Sequence, residues 1–434
     1  MMHRQFTTLA LIAFTVGSFA EEPEKLILQD KTAPGAEFRV YATSSISGEI
    51  TPPAEPGKQA AKILISGKSQ SEYAERILKP TDDLVGYQSL RVYEKLRVGR
   101  TSGDRKDQLE LRPTVKRIVL LKRGNSKVPF SPDAPLLWGE IDLIRTEIIL
   151  SQLNGILPKE AISPTEQWEA QQSAIHELTD FDTIDGGKLV CKLEKRENIG
   201  PRDLCHISFV GKIDGVNEDG PASQELVGKL IFDKSSGYIT YLTLKGVHSL
   251  KDEKGQNVGK IEGSFELTRI PLQGQVEVAD SVVKKLNTTP DDTNTLLLHQ
   301  EPSLKLSFDY SRRWRISRTT TQQITIDGPA GAGILVTVSS RQNTLSVADF
   351  RKEALQDLQK REATIHSSTG PELLENGKAW FAHVATIGKS TVTMVYVVCI
   401  SDDRGVTLAA RLPGKTSTEL VEDVKNIAKS LKMK

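Results

Sequence analysis

After its first twenty residues the sequence contains no apolar run of the length that crosses a bilayer, which takes about 20 residues. That excludes a chain anchored by a membrane helix. Cysteine is scarce: Cys191, Cys205 and Cys399 are the whole supply, and none stands just after residue 20 to accept a lipid. Net charge is missing as well. With 57 Lys+Arg against 56 Asp+Glu, removing Arg4 with the leader leaves 56 against 56. A neutral chain is poorly suited to nonspecific nucleic-acid binding, which rests on neutralising phosphates. The short motifs of catalysis are absent too: no Gly-x-Ser-x-Gly elbow, no HExxH, no P-loop. The six histidines after residue 20 are dispersed. Cys205 and His206 are neighbours, but in a strand they point to opposite faces and cannot ligate together. No metal, cofactor or catalytic residue is therefore assigned.

What is present begins with an address. Arg4, the apolar and small-residue run Phe6 to Phe19, and Ser18-Phe19-Ala20 form a secretory signal peptide with cleavage after Ala20. The expected product is exported, periplasmic or extracellular, and soluble. The remainder is long enough for two domains.

Charge is unevenly spread along it. Arg91 to Lys127 holds twelve Lys/Arg against four Asp/Glu, and Asp133 to Gly187 holds two against eleven. Either the two segments neutralise one another inside one domain, or the first forms a basic face for an anionic partner such as lipid headgroups or acidic polysaccharide.

Alternating patterns predict strands at Phe38 to Ala42, Ala61 to Ser66, Leu90 to Val98, Gln108 to Leu111 and Val115 to Lys122. Helical spacing of Leu137, Ile141, Ile144 and Ile148 predicts a helix over Leu136 to Leu153. Ser163-Pro164-Thr165-Glu166 reads as the capped start of a second, with Trp168, Ile175 and Leu178 buried. Antiparallel strands follow from Lys188 to Ile270. Residues 286–294 carry no large apolar side chain after Leu286 and read as a linker. Beyond it come strands to Ser339, a helix from Ser346 to about Glu362, three strands between Lys378 and Leu412, and a helix from Ser417 to Leu431. The expected fold class is thus α+β, with two domains (21–285 and 295–434), each a mainly antiparallel sheet packed with two helices.

Two of the cysteines fall on a predicted hairpin turned at Asn198-Ile199-Gly200-Pro201. Placing Cys191 opposite Cys205 also places Leu189 opposite Ile207, which matches the apolar register. The pair is either a disulfide or two buried thiols. Asp180 to Gly186 has carboxylates at intervals but departs from a calcium loop at positions 5, 6 and 12. Gly328-Pro-Ala-Gly331-Ala-Gly333 precedes a β-branched run, not the helix a phosphate cradle requires.

The strand–helix–three-strand–helix order of 295–434, opened by Phe308-Asp-Tyr310-Ser-Arg312-Arg313-Trp314, resembles the PsbP/Mog1-like α+β sandwich. Residues from about 60 to 270 are similar to the half-barrel of LolA/LppX-type lipoprotein carriers. Neither family is defined by a catalytic motif, so the resemblance implies binding or scaffolding and transfers no site residue. Tyr310, Arg312, Arg313, Trp314 and Trp380 form a candidate interface, since aromatic and arginine side chains recur at binding surfaces. A ligand site would lie on the concave apolar face of the first sheet, between it and the helices around Trp138 and Trp168, unless those helices fill the space as an ordinary packed core does.

The reading at this stage is an exported, non-catalytic binding or scaffold protein. Its ligand would be apolar, lipid or polysaccharide, or a protein partner met through the second domain. The rival is a secreted hydrolase built from dispersed Asp, Glu and His.

Overall fold

The computed structural model describes residues 25–52, 60–80, 85–164, 166–272, 274, 276–414 and 418–433. The signal segment, Thr165 and Ser417 lie outside the described residues.

Long alternating stretches make long strands. In chain order they are β1 (Glu37–Ile50), β2 (Ile63–Ile77), β3 (Val85–Ser102), β4 (Arg105–Glu110), β5 (Arg117–Arg123) and β6 (Ser126–Phe130). After helix α1 (Trp138–Arg145) come β7 (Gln167–Glu169), helix α2 (Gln172–Thr179), β8 (Thr183–Ile199), β9 (Arg202–Asn217), β10 (Gly220–Asp233), β11 (Tyr238–Lys251) and β12 (Asn257–Pro271). They form one 12-stranded antiparallel sheet, ordered β6-β5-β3-β2-β1-β12-β11-β10-β9-β8-β7, with β4 paired to β3. The side chains of α1, of the 3-10 segment Leu150–Ile156 and of α2 lie against its inner face.

A short helix, α3 (Asp280–Val283), leads to β13 (Leu297–Glu301), β14 (Leu306–Tyr310), β15 (Arg315–Thr319), β16 (Gln323–Asp327) and β17 (Gly333–Ser340). Then follow α4 (Val347–Lys360), β18 (Thr364–Leu373), β19 (Ala379–Ile387), β20 (Ser390–Ile400), β21 (Arg404–Pro413), α5 (Thr418–Ser430) and β22 (Lys432–Met433). These strands make a 7-stranded sheet, β15-β16-β17-β21-β20-β19-β18, and a 3-stranded one, β13-β14-β22. One buried apolar cluster runs through both halves, from Leu26 to Leu431.

The α+β expectation is therefore corrected: the protein is predominantly antiparallel β. Two causes are local. The stretch from Leu136 to Leu153 is not one helix, because Glu147 and Glu177 interrupt it. Glu147 turns inward to Arg91 and Tyr93, and Glu177 accepts the Ile149 amide at 2.8 Å, holding Ile149 extended. The turn at Ser163 does form, with Glu166 accepting the Ser163 amide at 2.8 Å. It delivers β7 first, since Trp168 pairs across from Cys191 and donates its indole N–H to the Ile156 carbonyl, and the expected helix begins only at Gln172, as α2, with Ile175 and Leu178 buried.

The uneven charge resolves inside the fold. Arg112 grips Glu140 in a fork at 2.7 and 2.8 Å, Lys122 and Lys127 meet Glu177, and Arg117 meets Asp133. Basic strands thus neutralise the acidic helical segment that lies on them.

On the outer face of the second sheet, α4 covers Phe381 and Tyr396. His383 sits beside those rings, fully buried, with Nδ1 2.8 Å from the Ser368 hydroxyl. Burial, helped by Arg351, pushes its pKa below the ordinary 6.5. The unfolded chain therefore takes up a proton below about pH 6.5 that the native site refuses, so this contribution to stability is whole above that pH and shrinks as pH falls. Urea titrations between pH 7.5 and 5 should show stability falling toward acid. His383→Gln should flatten that slope by up to one proton, and an unchanged slope would refute the assignment.

Candidate functional site: a cleft between the two sheets

Backbone contacts bring the two halves together beside α1. Leu136 and Leu297 form a parallel bridge, and the Leu298 amide donates to the Leu136 carbonyl at 2.8 Å. Directly next to this seam opens a cleft of about 1020 Å³, lined among others by Trp138, Asp142, Asp219, His299, Arg312 and Ile316. A space of that size is at the upper end for small-ligand sites, and boundaries between bodies are where such sites concentrate.

Each wall is fixed locally. At the start of α1, Glu140 accepts the Leu137 amide at 2.8 Å while Arg112 holds the same carboxylate. That anchors the first turn and leaves the Trp138 side chain at the cleft, 51% exposed, with Asp142 one turn further on the same face. The β9–β10 turn contributes Glu218 and Asp219, Glu218 being paired with Arg145 at 3.2 Å. Opposite stand His299 and Gln300 of β13 and the segment from Tyr310 to Ile316. Arg312 donates from Nε to the Thr295 carbonyl at 2.8 Å and from Nη2 to the Pro129 carbonyl.

Three groups here are displaced from their ordinary pKa. Burial raises Asp142, against the pull of Arg145 and Arg100. Burial lowers His299, whose Nε2 is enclosed without a hydrogen-bond partner. Burial also lowers Arg312, to about 10, and the charge interaction with Tyr310 opposes it only in part. Desolvation is the largest cause of displacement for all three groups of this cleft. The cleft contains no carboxylate–imidazole hydrogen bond among the described residues. The pair that does form, His206 Nε2 to Glu197 Oε1 at 2.6 Å, joins β9 to β8 and lies outside the cleft lining. No group of three or more His, Cys, Asp or Glu is placed to hold a metal among the described residues.

Of the five interface candidates, Tyr310, Arg312 and Trp314 line this cleft. Trp314 is nevertheless core: it is 2% exposed and gives its indole N–H to Asp423 at 2.8 Å. Its ring lies against Gly328, where a Cβ would come within 2.4 Å of it, so only glycine fits. Arg313 turns away to Glu419 and Asp423 on α5, and Trp380 is buried beneath the Lys425 ammonium, 3.9 Å above its ring. Asp142, Asp219 and His299 carry no sequence signal, since four distant segments meet only in the folded chain.

The hairpin register separates the two cysteines. A tight turn at Gly200-Pro201 sets Ile199 opposite Arg202, and a bulge at Leu193 to Lys195 leaves Cys191 opposite Phe209 and Cys205 opposite Arg196. Cys205 is thus four residues along the strand from the partner of Cys191, about 13 Å and beyond the reach of a disulfide, which needs Cα atoms within about 7 Å. The disulfide is corrected to two free, buried thiols. Burial pushes Cys191 up to about 12, and Cys205 and Cys399 up to about 11. The folded protein should therefore be inert to a thiol-specific disulfide reagent at pH 8 and release three equivalents once unfolded. A thiol count of one after unfolding would restore the bridge.

The concave face of the first sheet is occupied by its own helices: Leu143, Ile144, Leu153 and Ile156 fill the space expected for a ligand. A smaller groove of about 210 Å³ stays open past α2, between Leu178, Ile46, Leu244 and Phe265.

No family model matches the chain, and no curated protein matches it in sequence. Among solved structures it is similar to cyanobacterial PsbP from Synechocystis sp. PCC 6803, at 11% identity and a TM-score of 0.26, covering 32% of this chain and 92% of that one. It is also similar to MucB in complex with MucA(peri), at 11% identity and a TM-score of 0.16, covering 91% and 94%. A third likeness is to OccK5 of Pseudomonas aeruginosa, at 9% identity and a TM-score of 0.13, covering 88% and 100%. At these TM-scores the likenesses carry no functional argument. No helix among the described residues is long and apolar enough to cross a membrane.

Proposed function

We propose that the chain is an exported, non-catalytic binding protein whose ligand seats in the cleft between the 12-stranded sheet and the β13–β14 hairpin. The observation that carries this reading is the combination on one cleft of an exposed Trp138 with the displaced charges Asp142 and Arg312, and with no carboxylate–imidazole hydrogen bond among the described residues. A hydrolase needs a base within hydrogen-bond reach of its proton, and the lone His299 does not supply that arrangement. Residues 21–285 and 295–434 would then be the two domains that share the site, joined through 286–294. There Asp291 caps its own loop, accepting from the Thr293 and Asn294 amides at 2.8 Å each.

Native mass spectrometry of the protein purified from its own envelope tests the proposal. A bound mass is expected in the wild type and should be lost in Trp138→Ala. Retention of the same adduct by that variant would overturn the cleft reading. A second reading, an apolar or lipid ligand on the first domain, is favoured by the open groove beside Ile46, which is 43% exposed. It predicts an adduct sensitive to Ile46→Asp and indifferent to Trp138.

A further inference from the structure

The two walls of the cleft are of opposite sign, and among the described residues Arg312, Asp142 and Asp219 are closed into no ion pair, although Arg145 and Arg100 act on Asp142 from a distance. Arg312 is held by two backbone carbonyls and by no carboxylate, and its Nη1 has no partner among the described residues. Arg315 stands exposed beside it on the same wall. Across the cleft, the carboxylates of Asp142 and Asp219 make no hydrogen bond or ion pair among the described residues, whereas Glu218 already has Arg145. A half-buried guanidinium without a counter-ion costs desolvation that an incoming anion returns, and its planar fork matches a carboxylate. A ligand of one sign would satisfy one wall and be repelled by the other. A ligand that complements both walls would carry both signs, separated by an apolar body against Trp138, Leu298 and Ile316. The volume, about 1020 Å³, is ample for several residues of peptide.

Resting on the reading of the cleft as a binding site, we propose that it takes a short zwitterionic peptide. Its terminal carboxylate would sit on Arg312, its basic group between Asp142 and Asp219, and its apolar side chains on Trp138.

The test uses the full mature chain and the tripeptide Lys-Leu-Phe, as free acid and as C-terminal amide, followed by tryptophan emission. Trp138 is the one tryptophan that is largely exposed, and Trp138→Phe identifies its signal. The free acid should bind about tenfold more tightly than the amide, the difference expected of a charge-assisted fork. Arg312→Gln should bring the acid down to the level of the amide, Arg312→Lys should fall between, and Asp142→Asn with Asp219→Asn should weaken acid and amide alike. Equal binding of acid and amide by the wild type overturns the proposal but leaves the cleft as a binding site. So does an acid preference that survives Arg312→Gln in a variant with unchanged melting temperature. Absence of saturable binding by either peptide overturns it as well, and the mass-spectrometric comparison of Trp138→Ala then judges the binding reading separately. If Arg312→Gln fails to fold, the acid–amide comparison on the wild type decides alone.

Discussion

Arg91→Met should lower the unfolding free energy by about 3–5 kcal/mol, measured by urea denaturation at neutral pH. Arg91 is 1% exposed and lies between two acids: Nε donates to Glu75 and Nη1 to Glu147, each at 2.9 Å. Tyr87 and Tyr93 complete the arrangement, donating to Glu75 at 2.7 Å and to Glu147 at 2.6 Å. Burial alone would raise the Glu75 carboxyl, but Arg91, Arg269 and the Tyr87 hydroxyl together bring it below the usual carboxylate range. Removing the guanidinium leaves two carboxylates inside the sheet with phenols as their hydrogen-bond partners, and Arg269 acts on Glu75 only from beyond ion-pair distance. Adding Glu75→Gln and Glu147→Gln to Arg91→Met should recover part of the loss, because the cost is that of unpaired buried charge and not of lost packing. A loss below about 1 kcal/mol, or no recovery in the triple variant, would contradict this account.

The second large effect is expected at Lys378. Its ammonium, buried at 6% exposure, donates to the carbonyls of Ala428, Lys429 and Leu431, each at 2.8 Å. Two of those carbonyls belong to the last turn of α5 and the third follows it directly, at the end where the helix dipole is negative. Desolvation lowers the lysine pKa, so part of each bond is offset. Lys378→Met, which keeps the apolar stem, should cost about 3 kcal/mol, since hydrogen bonds from a charged donor are worth about 1.5–3 kcal/mol each before that offset. Amide exchange should quicken first in the last turn of α5. Equal protection there in variant and wild type would count against Lys378 as its cap.

Much of the β architecture was legible from alternation alone, because a half-buried strand writes its two faces into successive residues. The meander β19–β20–β21, the turn at Gly388 and the stripe of α4 were all read from spacing. Strand β18 was missed because, as an edge with mostly exposed side chains, it buries neither face deeply enough to leave a pattern. The helix over Leu136 to Leu153 was misread for a different reason. Its apolar period is real, but Glu147 and Glu177 answer to Arg91, Lys122 and Lys127, residues a propensity argument does not see. The cysteine register failed by four residues because a tight turn and a bulge decide it, while alternation fixes only parity. Of the site, Trp138, Tyr310 and Arg312 stood out by residue type. Asp142, Asp219 and His299 did not, since their meaning lies in what faces them.

The sheets also end in a particular way. Edge β6 contains Pro129, β7 is three residues long, β18 has two register breaks and Pro371, and β15 has a break between Ile316 and Arg318. Unpaired strand edges are templates for adding another chain, and proline, short length, bulges and charge are the features that deny them a partner. In a molecule dominated by antiparallel strands these features work against growth into fibres. It should remain dispersed at the high concentrations at which flat-edged β proteins aggregate.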